Sequence, residues 1–144
     1  MAQINPARLL SDLHELSAIG AYKTGVHRPT LSPPDMEARR WLLGKFADAG
    51  LDGRIDGVGN VLGYGSAPRL ALVGSHIESQ PHAGRLDGAL GVLYGLELAR
   101  AFRGSGIGVD VGAWADEEGW FGKMLGSRSF CGELEPGELE AARH

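Results

Sequence analysis

Apolar residues recur at helical spacing in some stretches of the chain and run without interruption in others, and the change of rhythm predicts the elements. In "INPARLLSDLHELSAIG", Leu9, Leu10, Leu13 and Leu16 share one helical face. Asn5 stands at the N-cap, Pro6 at the first helical position and Gly20 at the stop. "YKTGVHRPTLSPP" carries a glycine and three prolines and predicts a loop. "SPPDMEARRWLLGKFADAG" restarts a helix that buries Met36, Leu42 or Leu43, Phe46 and Ala47 and ends at Gly50. "LDGRIDGVGNVLGYG" breaks β-prone pieces with glycines and predicts a hairpin or meander.

The second half changes character. "RLALVGS" and "VDVGAWA" are short continuous apolar runs, as expected of strands buried on both faces. Between them "DGALGVLYGLELARAF" predicts a helix with Asp87 as N-cap, so the three form a βαβ unit with parallel strands. Gly91 and Gly95 in that helix suit close packing on the sheet. "GKMLGSRSFCG" predicts a short helix, and the charged tail "ELEPGELEAARH" another. No repeat or linker divides residues 1–144, which read as one α/β domain.

This topology gathers polar residues that are distant in sequence. His76 follows the first buried strand, and Glu117 and Glu118 follow the second. Parallel strands end on one edge of the sheet, where open α/β sheets place their ligand sites. The crossover helix starts at the same edge, with Asp87. One histidine and several carboxylates make a zinc-type donor set. Adjacent side chains leaving a strand diverge, so Glu117 and Glu118 can serve as one ligand and one base. Taken singly, each has an ordinary explanation: a helix cap for Asp87, a solvated turn for the glutamates, a structural ring for His76. Their convergence is what favours a metal site. Glu78 is either a loop charge or the carboxylate that holds the His76 ring.

Composition narrows the function classes. Net charge is −4 with no basic run, which argues against a nucleic-acid partner. No apolar stretch approaches the ~18 residues of a membrane span, and no secretory leader is visible at the start. The one cysteine, Cys131, cannot form an internal disulfide, which fits a reducing, cytoplasmic setting.

"GSHIESQPHAGRLDGALGV" followed by "WADEEGWFGKMLGS" resembles the carbamoylase and allantoate amidohydrolase family, dinuclear metal amidohydrolases of the aminoacylase-like metallopeptidase superfamily. "TGVHRPTLSPPDMEARRWLLGKFADAGL" and "IDGVGNVLGY" extend the resemblance over nearly the whole chain. It implies a three-layer zinc-peptidase-like fold with a mostly parallel central sheet flanked by helices. It further implies two divalent metal ions, zinc first, with manganese, cobalt or nickel compatible. His76 would bind one metal, Asp87 bridge both, Glu118 bind the second, and Glu117 act as general base. Gln80 would line the substrate pocket. The implied reaction is hydrolysis of a carbamoyl or ureido C–N bond of a small amino-acid-like substrate, such as an N-carbamoyl amino acid or allantoate, by a homodimeric full-length enzyme.

The chain also departs from the family pattern. Glu78 stands where the family usually has Asp. "HAG" replaces a common Gly-Gly pair, and "WFG" a more usual Arg-Phe pattern. Family members are longer, with a second, smaller domain and two further metal-binding histidines beyond the counterpart of His144. The expectation is therefore the N-terminal segment of a catalytic domain. Two other readings stay open: a non-catalytic fragment that binds metal weakly or needs a complementary chain, and, within the superfamily, an aminoacylase or peptidase. An interaction module with a fortuitous carboxylate cluster is a third.

Overall fold

The computed structural model describes residues 2–142. α1 (Pro6–Ala18) starts as its sequence suggests, the Asn5 side chain accepting from the Arg8 N–H at 3.1 Å. α2 (Pro33–Ala49) has Ser32 at its N-cap and closes on Gly50, whose φ of 77° is a left-handed value. Between them, where the prolines predict loop, lies a small hairpin, β1 (Ala21–Tyr22) and β2 (Gly25–Val26). The buried stripe of α2 is Ala38, Leu42, Phe46 and Ala49, together with Asp35 and Arg39. Met36 is only half-buried and Ala47 is exposed, because the helix turns its Asp35–Arg39 ion pair inward.

β3 (Asp52–Ile55) and β4 (Val61–Tyr64) form the expected antiparallel hairpin. β5 (Arg69–His76), α3 (Ala89–Phe102) and β6 (Ile107–Trp114) form the βαβ unit, with β5 and β6 parallel from Arg69↔Ile107 to His76↔Trp114. α4 (Leu125–Cys131) and α5 (Glu138–Ala141) follow; Arg143 and His144 of the charged tail lie outside the described residues. The larger sheet runs β3-β4-β6-β5, with β4 antiparallel to β6, so the α/β chain has a mixed sheet.

α2 and α3 share one face of this sheet. Phe46 packs at Gly63, whose partner across the ladder is Val111, and Val111 lies under Gly95 of α3. A Cβ on Gly95 would sit 3.2 Å from Val73 and Val111, and one on Gly91 2.8 Å from Ser75, so the two glycines let α3 lie close on the strands. Leu16, Leu42, Phe46, Leu93 and Leu96 are sealed in this core. Each contributes about 1.5–3 kcal/mol of apolar burial. α1 is tied to α3 through Glu97, which accepts from Arg8 Nε and Nη2, both at 2.8 Å, and from the Asn5 N–H at 2.7 Å.

Two expectations change here. β5 is not buried on both faces. It is the last strand of the sheet, and Leu70 and Leu72, on the face away from the helices, stay 50% and 48% exposed. The apolar run records a demand for cover that α1, α2 and α3 do not meet, since they cluster on the other side. Asp87 does not cap α3 either. The N-cap is Gly88, at φ 65° and ψ −56°, with the Ala89 N–H bonded to the Asp87 carbonyl at 2.6 Å. This is a γ-turn of the rare positive-φ kind, and no side chain makes a cap hydrogen bond to α3.

Candidate metal centre

The two parallel strands stop side by side at His76 and Trp114, and each is followed by a segment fixed by buried hydrogen bonds. After β5, residues 77–79 are gripped by Arg28, which is 1% exposed. Its Nε donates to the Ile77 carbonyl at 3.0 Å, and its Nη1 to the Leu16 and Ile19 carbonyls at 2.8 Å. The Arg28 and Ser79 backbones are also joined, the Arg28 N–H to Ser79 Oγ at 3.0 Å and the Ser79 N–H to the Arg28 carbonyl at 2.9 Å. After β6, Asn60 Oδ1 accepts from the Ala115 N–H at 2.8 Å while its Nδ2 donates to the Gly126 carbonyl at 3.0 Å. Asp116, at φ 60°, then accepts from the Phe121 and Gly122 N–H groups at 2.9 and 2.8 Å. That carboxylate-centred turn presents Glu117 and Glu118 to the end of β5.

His76, Glu117 and Glu118 meet there, each with a donor atom within 4.8 Å of the others. The imidazole is buried and the two glutamates are half-buried. His76 Nδ1 lies 3.1 Å from the Glu78 carbonyl oxygen. A carbonyl can only accept, so Nδ1 carries the hydrogen. In the neutral ring Nε2 is then a bare lone pair, and it faces Glu117 Oε2 at 3.3 Å. Two acceptors in that relation need a proton or a cation between them. Nitrogen plus carboxylate oxygen, with the second ring nitrogen anchored, suits a divalent metal.

The other candidate residues take different places. Glu78 holds the His76 ring through its backbone carbonyl and not through its carboxylate. The carboxylate, 1% exposed, accepts from Arg39 Nη2 at 3.1 Å and from the Glu117 N–H at 2.7 Å. Burial pushes the Glu78 carboxyl above the ordinary carboxylate range, against the pull of the Arg39 charge. Gln80 donates to Glu118, to Oε2 at 2.8 Å and to the carbonyl at 3.2 Å. With Pro81, Glu118, Gly119 and Trp120 it borders an open hollow of about 230 Å³. Asp87 is exposed and outside the three-residue cluster, but its neighbour Gly88 backs onto the ring: a Cβ there would lie 2.4 Å from His76 Nε2.

Arg28, Asp35, Arg39, Asn60 and Asp116 support the centre without having been singled out in the sequence. One signal was available: Asp35 and Arg39 lie i,i+4 on the very face of α2 that carries Ala38, Leu42 and Phe46, where exposed charges do not belong. Among the described residues, no helix is long and apolar enough to cross a membrane.

An α/β chain with a His–Glu–Glu cluster at the C-terminal edge of a parallel strand pair carries possible metal ligands where open α/β sheets bind their ligands. The comparisons with known proteins specify the family. The chain is 34% identical over 148 residues to an N-carbamoyl-L-amino-acid amidohydrolase of Pseudomonas sp. (strain NS671), covering 95% of this chain and 36% of that protein. It is 33% identical over 141 residues to the allantoate deiminase of Arabidopsis thaliana, covering 89% of this chain and 27% of that protein. It superimposes on the crystal structure of an amidase of the hydantoinase/carbamoylase family from Burkholderia phymatum with a TM-score of 0.96 at 50% identity, over 100% of this chain and 37% of the other. No family model matches. The chain belongs to the hydantoinase/carbamoylase amidases, the carbamoylase and allantoate amidohydrolase family, and spans little more than a third of the length of such relatives.

Proposed function

We propose that this chain provides the first part of a metal-dependent amidohydrolase acting on the carbamoyl or ureido C–N bond of an N-carbamoyl amino acid or of a ureido compound such as allantoate. The observation that carries the reading is the His76 Nε2 lone pair facing Glu117 Oε2 beside Glu118, in a chain whose relatives are named for carbamoyl and allantoate substrates. His76 would bind one divalent metal and Glu118 a second, zinc first, with manganese, cobalt or nickel compatible with the same donors. When bound, such an ion polarises a carbonyl and acidifies a water. Glu117 takes the proton of the attacking water and delivers it to the leaving nitrogen. Gln80 keeps Glu118 turned toward the ring, and Glu78 keeps the ring itself aligned. Asp87, outside the three-residue cluster, would be the ligand shared by the two ions. Each catalytic zinc takes three protein ligands, so a two-metal centre needs donors from further polypeptide. In that longer form a homodimer in the cytoplasm is the working picture.

The test is turnover of N-carbamoyl amino acids and allantoate, followed by ammonia release, beside N-acyl amino acids and dipeptides, followed by the amino acid set free, in the longest natural form of the protein. Turnover of the carbamoyl or ureido compounds, lost with a chelator and in Glu117→Gln at unchanged metal content, supports the reading. Preference for N-acyl or dipeptide substrates replaces it with an aminoacylase or peptidase. A second reading, a non-catalytic metal-binding segment, is favoured by the open edge of β5 and by a cluster of only three donors among the described residues. Metal binding with no turnover of any of these substrates would favour it.

A further inference from the structure

Arg39 is among the largest fully buried side chains of the molecule and has no place in the chemistry above. It lies within α2, yet three of its nitrogens are used at the sheet edge. Nε donates to Asp35 Oδ2 at 2.7 Å, Nη1 to the Gly59 carbonyl, and Nη2 to Glu78 Oε2 at 3.1 Å. The side chains of Asp35, Arg39 and Glu78 are all 0% exposed. With one oxygen of Glu78 on Arg39, the other accepts from the Glu117 N–H at 2.7 Å. The Glu78 carbonyl meanwhile anchors His76 Nδ1. One residue therefore touches both halves of the cluster, and Arg39 fixes that residue from behind.

We propose that Arg39 is a positioning residue: by clamping Glu78 it sets the backbone of Glu117 and the ring of His76 in the geometry that receives the metal. The planar fork of arginine is needed for this. It reaches a carboxylate of its own helix, a loop carbonyl and a carboxylate from the end of β5 at once, which a single ammonium cannot do. Both oxygens of Glu78 are occupied, so Gln at that position must turn its NH2, a donor, toward either Arg39 or the Glu117 N–H, which are donors too. The inference rests on the metal reading above, and its test separates the two.

Zinc is titrated into the chain carrying Arg39→Lys, Glu78→Gln, both together, or Glu97→Gln, a control that disturbs an equally buried carboxylate far from the cluster. Hydrogen exchange at the Glu117 amide is measured on the metal-free forms. The expected result is a zinc dissociation constant at least tenfold weaker in Arg39→Lys and in Glu78→Gln. The double variant should be no weaker than the worse single one by more than about twofold, because Arg39 acts through Glu78. Exchange at Glu117 should be faster in all three, and Glu97→Gln should resemble the parent in both readouts. An Arg39→Lys chain that binds zinc like the parent and protects the Glu117 amide equally would overturn the proposal. So would additive effects of Arg39→Lys and Glu78→Gln, or equal weakening by Glu97→Gln. If the parent chain binds no zinc, the metal reading fails, and the Glu117 exchange rates alone decide whether Arg39 positions that residue. If Arg39→Lys does not fold, Glu78→Gln carries both readouts.

Discussion

Replacing Gly88 by alanine should disturb the centre and the start of α3 together. Gly88 sits at φ 65° and ψ −56°, outside the regions open to L side chains. Forcing Ala into it costs about 1–3 kcal/mol, partly offset by ~0.4–1 kcal/mol from the stiffer unfolded chain. The new Cβ would lie 2.4 Å from His76 Nε2, against the 3.4 Å where ordinary contact begins. The ring or the turn must therefore give by about an ångström, half of a zinc–nitrogen bond of about 2.0–2.1 Å. Urea denaturation should report a net loss of up to about 2.5 kcal/mol, and zinc titration of the folded variant a dissociation constant at least tenfold weaker. Parent stability with parent zinc affinity would refute both the tight fit of Gly88 on the ring and the role of Nε2 as a ligand.

Other consequences can be checked singly. Burial alone would raise the Glu97 carboxyl, but the hydrogen bonds and charge of Arg8, the Asn5 N–H and Arg100 outweigh it and hold the group below its ordinary 4.5. Its stabilisation is thus complete above that value and lost as pH falls through the lower folded one. Urea midpoints of the parent and Glu97→Gln should differ at pH 7 and converge below about pH 4.5; a constant difference down to pH 3 would contradict the linkage. Asn60→Ala leaves the buried Ala115 N–H without its partner and should cost about 1–3 kcal/mol in thermal or urea unfolding. Leu72→Lys, on the open face of β5, should change stability by less than about 0.5 kcal/mol; a loss of several would mean that this face is covered in solution.

The elements and the βαβ topology were legible because their signals are local. Asn5, Ser32 and Gly50 mark helix ends, and the two apolar runs separated by a helical pattern leave few alternatives. His76, Glu117 and Glu118 followed from topology alone. Asp87, expected at the same edge as helix cap and ligand, neither caps α3 nor joins the three-residue cluster. The open face of β5 was hidden because an apolar run shows what a strand can bury and not what is there to bury it. The Arg39–Glu78–Glu117 chain escaped because its links join residues 39 positions apart, each unremarkable in its own neighbourhood. Glu78, open in the sequence between a loop charge and the carboxylate that holds the His76 ring, is buried and meets the ring through its carbonyl.

The most direct measurement is a calorimetric titration of zinc into the parent chain and into His76→Ala, each first confirmed to be folded by circular dichroism. Metal held by His76 and by Glu118 should give saturable binding in the parent, weakened at least tenfold in Glu118→Gln and in His76→Ala. Binding that is absent in the parent, or that survives His76→Ala unchanged, would contradict a metal centre at this edge of the sheet.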